Sequence, residues 1–117
     1  MPTGAIDGVL LATVDWVLDL LVSGRYEELE RISRGNRLTA SEIRSAVDQY
    51  GRKLIKPPKG YAPNIIEIQN SAPQQWAVVI DLWTDEEEQR SDLSLELTVT
   101  ASPAERYEVE IDDLHVL

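Results

Sequence analysis

Three stretches in the last third of the chain alternate apolar and polar residues with a period of two, and few folds accommodate that. Trp76, Val78, Ile80 and Leu82 alternate with Ala77, Val79, Asp81 and Trp83. Leu93, Leu95, Leu97 and Val99 alternate with Ser94, Glu96, Thr98 and Thr100, and Tyr107, Val109 and Ile111 with Glu108, Glu110 and Asp112. Such alternation is the signature of strands with one buried face. Residues 76–84, 93–101 and 106–117 therefore form three consecutive antiparallel strands with one greasy and one acidic side. The pair Asp112-Asp113 interrupts the pattern and would turn Leu114 and Val116 outward, so a bulge at this pair is expected to return them to the core side.

The N-terminal half reads as helical. From Ala5 the positions Ile6, Val9, Leu10, Thr13, Val14, Val17, Leu20 and Leu21 recur at three and four, and Leu11, Trp16, Leu18 and Val22 widen the stripe, so this helix is mostly buried. Ser23-Gly24 stops it, and Tyr26, Leu29 and Ile32 share one side of a second short helix. Thr39 followed by Glu42 is a capping box opening a third helix, with Ile43, Ala46, Val47 and Tyr50 inside and Gly51 at its end. Leu54-Ile55 and Ile65 to Ile68 suit short strands, separated by Pro57-Pro58. The expected fold is a single α+β domain over residues 1–117, with three helices packed on one face of a curved, mainly antiparallel sheet of four to five strands.

Charge is distributed unevenly. Residues 1–63 hold 8 acidic and 9 basic side chains, and residues 64–117 hold 13 acidic and 2 basic, so the sheet half carries all of the net -10. Phosphate would be repelled by most of such a surface, which argues against nucleic acid as a partner. The stretch Ala5 to Val22 contains Asp7, Asp15 and Asp19 with no basic residue ahead of it, unlike a signal peptide or a membrane span. The absence of cysteine excludes disulfides and thiolate metal sites. A cytoplasmic protein with no membrane association, metal or cofactor is expected.

The individual candidates are sparse. Asp81, Asp85, Glu87 and Asp92 offer oxygens for calcium, but the stretch lacks the glycine of an EF-hand loop and reads better as a solvated hairpin tip. His115, the only histidine, stands near Asp112 and Asp113, a pattern compatible with general acid/base work, although a terminal strand histidine is the commoner case. No cysteine nucleophile and no G-x-S-x-G elbow is present, so no catalytic residue is assigned. Arg34-Gly35-Asn36-Arg37, ahead of a helix start, suits an anion but equally a solvated loop. Trp16 and Trp76 read as core, whereas Trp83 falls on the acidic face, where an exposed tryptophan would anchor a partner.

Three helices followed by a curved sheet are similar to the NTF2-like and cystatin-like cone folds, and Gly24-Arg25-Tyr26-Glu27-Glu28-Leu29 resembles the opening of many NTF2-like chains. The stretch from Trp76 through Leu82-Trp83-Thr84, the acidic loop, Arg90-Ser91-Asp92-Leu93 and the ending from Tyr107 to Leu117 resembles a family of small uncharacterised bacterial proteins. That likeness brings no activity with it.

Two functions follow as expectations. The first is a non-enzymatic domain that binds a basic protein partner, of the immunity or antitoxin inhibitor type, through Trp83, Asp85, Glu86, Glu87, Glu96, Glu108, Glu110 and Asp112. The second is a small-molecule binder or enzyme with a pocket between the first helix and the sheet, into which Asp113 and His115 reach. A homodimer through the sheet face or an edge strand is a third arrangement.

Overall fold

The computed structural model describes residues 8–33, 38–85 and 89–116. Three helices, α1 (Gly8–Val22), α2 (Tyr26–Ile32) and α3 (Ala40–Tyr50), precede five strands: β1 (Leu54–Ile55), β2 (Asn64–Ile68), β3 (Gln75–Thr84), β4 (Gln89–Thr100) and β5 (Glu108–Val116).

Each helix ends where its local chemistry requires. At the end of α1 the Arg25 N–H donates to Leu20 O at 2.9 Å and the Gly24 N–H to Leu21 O at 3.2 Å, with Gly24 at φ 77°. This double closure needs a left-handed residue, which glycine supplies without a Cβ clash. The predicted capping box opens α3: Glu42 N–H donates to Thr39 Oγ1 at 3.2 Å, and Thr39 N–H to Glu42 Oε1 at 3.0 Å. Glu30 of α2 accepts from the Ala40 N–H at 2.6 Å and so ties α2 to the start of α3.

The sheet is open and entirely antiparallel. β3, β4 and β5 are successive neighbours, as the alternation predicts. β1 and β2 both pair with the other edge of β3, β1 opposite Trp83 and Thr84 and β2 opposite residues 75–79. Between them the Tyr61 hydroxyl accepts from the Asp81 N–H at 2.9 Å, which satisfies a ladder donor where neither short strand reaches. β4 begins at Gln89, earlier than expected from its side chains.

Trp76, Val78, Ile80, Leu82, Leu93, Leu95, Leu97, Val99, Val109, Ile111 and Leu114 form one core with Leu10, Val14, Val17 and Leu21 of α1, Leu29 of α2 and Ile43 of α3. The helices thus cover one face of the sheet, an α+β arrangement. Each such side chain contributes roughly 1.5–3 kcal/mol by leaving water. Thr13, a polar residue fully buried at the core, donates to Val9 O at 2.7 Å and accepts from the Tyr107 N–H at 3.0 Å, pinning the approach to β5 onto α1. Tyr107 stacks on Trp76, with ring centroids 5.6 Å apart.

Three expectations need correcting. Trp16 is only half-buried and carries the Arg106 guanidinium 4.4 Å from its ring centre, so it closes the helix side rather than filling the core. Leu114 returns to the core as expected, but Val116, paired with Leu93 on the same face, is 53% exposed. It lies at the margin of the helical layer, beside Ala46, Gln49 and Tyr50 of α3. Trp83 is the third, and it belongs to the site.

Among the described residues no helix is long and apolar enough to cross a membrane.

Candidate functional site

The sheet face turned away from the helices collects most of the predicted site residues. Its positions follow from register: Ala77, Thr98 and Glu110 form one cross-strand row, Val79, Glu96 and Asp113 the next, and Asp81, Ser94 and His115 the third. Glu108 extends the face opposite Thr100. The polar partners of the alternating pattern therefore share one side, and the leucine row on β4 lies buried on the other.

The lower half of this face depends on a bulge. Glu96 pairs with Asp113 while Leu97 pairs with Ile111, so Asp112 is the extra residue in β5. This is the bulge expected from the interrupted alternation. In unbroken register Asp113 and His115 would enter the core and Leu114 would face water. The inserted residue reverses all three, because every later side chain changes face. Asp112 itself accepts from the Thr98 hydroxyl at 2.6 Å.

The result is a compact group. His115 Nε2 lies 3.5 Å from Glu96 Oε2, and His115 Nδ1 lies 3.0 Å from Asp113 Oδ2. The second contact is within ion-pair reach but lacks hydrogen-bond alignment, so the buried Nδ1 has no hydrogen-bond partner. Asp113 Oδ1 accepts from the Leu114 N–H at 2.9 Å, which fixes the carboxylate. Ser94, directly opposite His115, is fully buried and its Oγ has no partner.

The acidic hairpin contributes less. Glu86 and Glu87 lie outside the described residues. Asp85 is exposed, and its N–H donates to Lys53 O at 3.0 Å. Asp92 accepts from the Tyr50 hydroxyl at 2.7 Å and so faces α3. Opposite Leu82, β4 inserts Ser91, Asp92 and Leu93, a second irregularity held by Ser91 Oγ, which donates to Leu82 O at 2.8 Å and accepts from the Leu93 N–H at 3.1 Å.

Trp83 is not the exposed anchor that alternation suggests. It is partly buried, the Tyr61 ring meets it edge-on at 6.1 Å, and its Nε1 is buried without a hydrogen-bond partner. The covering loop between β1 and β2 supplies that ring, and nothing in the local alternation at Trp83 signals it.

Two of the described basic residues between Arg31 and Lys59 pair with carboxylates of the helices. Arg44 pairs with Glu27 at 2.7 Å, and its hydrogen bond holds the Glu27 carboxyl below the usual range. Lys56 reaches Asp15 at 2.7 Å and Asp19 at 2.8 Å on α1. The anion candidate at residues 34–37 lies outside the described residues. Asp113 and His115 point away from α1, so the pocket expected between α1 and the sheet does not receive them. A groove does run along α1, lined by Leu11, Leu18, Lys56, Pro58 and Tyr61, with a volume of about 370 Å³, but it opens under the β1–β2 loop.

Sequence reasoning missed Ser94 as a site residue and did not join Glu96 to His115. The interrupted alternation at Asp112-Asp113 was the available signal, since it fixes which residues face Glu96.

An open antiparallel sheet with helices on one side and a carboxylate-rich outer face defines the class of small α+β domain. Residues 18–117 match the family described as a domain of unknown function (DUF7668), and the chain belongs to that family. No curated protein and no solved structure is recognisably similar to it.

Proposed function

We infer that this domain binds a basic protein partner through the outer face of its sheet. The observation that carries the reading is the segregation of charge. Glu96, Glu108, Glu110, Asp112 and Asp113 share the side of the β4–β5 ladder opposite the leucine row, with Ile32 and Ser33 at the end of α2 bordering Glu108 and Glu110. After residue 63 the only basic residues are Arg90 and Arg106, and Arg106 stacks on Trp16 at the helix side. A potential of one sign over a sheet raises the rate at which an opposite surface arrives and rejects acidic competitors. An inhibitor that covers a cationic active surface is the form of binding module that this face suits best.

The test compares capture by the wild-type chain from lysate of its source at low and high salt with capture by Glu108→Lys/Glu110→Lys. The reading expects a basic protein that is retained at low salt, released at high salt and lost from the variant. Retention of nothing, or equal retention by the variant, contradicts it.

A further inference from the structure

We propose that Glu96, Asp113 and His115 bind a single divalent transition-metal ion on the outer sheet face, one ligand atom from each, beside the Ser94 hydroxyl. One nitrogen of His115 and one oxygen from each carboxylate lie within 4.8 Å of one another. Ligand atoms about 2.1 Å from a tetrahedral ion stand about 3.4 Å apart, close to the 3.5 Å between His115 Nε2 and Glu96 Oε2. The remaining closure is within reach of side-chain rotation, because the three side chains keep 35% to 53% of their surface.

The second observation is independent of the carboxylates. Ser94 stands across the ladder from His115 and two residues from Glu96, on the same face. It is fully buried, yet its Oγ has no hydrogen-bond partner. Native structures seldom leave such a hydroxyl orphaned, and a water bound to an ion held by Glu96, Asp113 and His115 would satisfy it. The bulge supplies a third indication. A strict ladder would have sent Asp113 and His115 into the core, and bulges recur where a side chain must be re-aimed.

The donor set selects the metal. One imidazole and two carboxylates suit zinc and its first-row neighbours, whereas magnesium and calcium prefer oxygen alone. Two carboxylates held together also gain from a cation between them. This assignment does not rest on the docking reading: a partner can bind with the site filled or empty.

The test titrates zinc into the full chain by calorimetry, with cobalt as a visible-absorbance reporter. Expected are one saturable zinc per chain, a cobalt d–d band, and a rise in melting temperature with zinc concentration. His115→Gln is expected to weaken zinc at least about tenfold, Glu96→Gln likewise, and Ser94→Ala less than either. Circular dichroism confirms that the variants fold. Should any fail to fold, the ring-proton NMR signals of the only histidine in the wild type, which shift on zinc addition if its imidazole is a ligand, still decide. Absence of saturable zinc binding, or zinc binding unchanged in His115→Gln, overturns the assignment. So would magnesium binding as tightly as zinc, since the imidazole would then not be a ligand.

Discussion

Glu96 lies directly across the β4–β5 ladder from Asp113, two carboxylates on one face, because Asp112 is the residue the ladder skips. Like charges directly opposite each other destabilise a sheet. In the metal-free protein Glu96→Gln should therefore raise stability by roughly 0.2–1 kcal/mol. Urea denaturation with chelator present measures it, and a loss of stability would contradict the account.

The bulge makes Asp112 an extra residue that the ladder can lose but not gain again without changing face. Deleting Asp112 removes the extra residue and leaves every later pairing in place, because Asp113 then follows Ile111 directly: Asp113 and His115 stay on the outer face and Leu114 stays in the core. The deletion should therefore keep a cooperative thermal transition, whereas inserting one alanine after Asp113 turns Leu114 outward and His115 inward and should cost about 2–5 kcal/mol. Asp112→Ala keeps the extra residue and loses the Thr98 hydrogen bond, a cost of about 1 kcal/mol. A deletion as costly as the insertion would argue against the bulge.

Thr13 joins α1 to the chain entering β5 through the Tyr107 N–H. Thr13→Val keeps the shape and removes the acceptor, so stability should fall by about 1–3 kcal/mol. Amide exchange at Tyr107 should quicken relative to that at Val109. Unchanged exchange would mean that the hydroxyl is not the partner.

Lys56 gives a test at alkaline pH. Burial of its ammonium lowers the pKa, but hydrogen bonds and attraction from Asp15 and Asp19 together exceed that and leave it raised above the ordinary lysine value. A raised folded pKa contributes stability below the unfolded value of about 10.4 that is lost as pH rises through the folded one. With its side chain 36% exposed, the contribution is screened to under about 1 kcal/mol. Lys56→Met should lose part of the alkaline decline in stability seen in the wild type, and an identical decline would contradict the pairing.

Much of the fold was legible because its signals are local. Alternation placed β3, β4 and β5, the Thr39 and Glu42 pair placed α3, and the two adjacent aspartates placed the bulge. What sequence could not supply was tertiary. That β1 and β2 share one edge of β3 depends on a loop bringing Tyr61 into the gap between them, and the same loop covers Trp83. The exposure of Val116 follows from where the helical layer ends. The meeting of Glu96 with His115 spans a hairpin and is fixed by register, so neither residue's own neighbours reveal it.

The docking account is tested most directly by association rate, once a captured partner is purified. Glu108→Lys/Glu110→Lys and a helix-side control, Ser41→Lys/Ser45→Lys/Asp48→Lys, add the same charge to different faces while leaving Glu96, Asp113 and His115 intact. Stopped-flow mixing at low ionic strength should show the sheet-face variant associating at least about tenfold more slowly than wild type, with the control close to wild type. Equal slowing by both variants would mean that only net charge matters, and the claim of a docking face would fail.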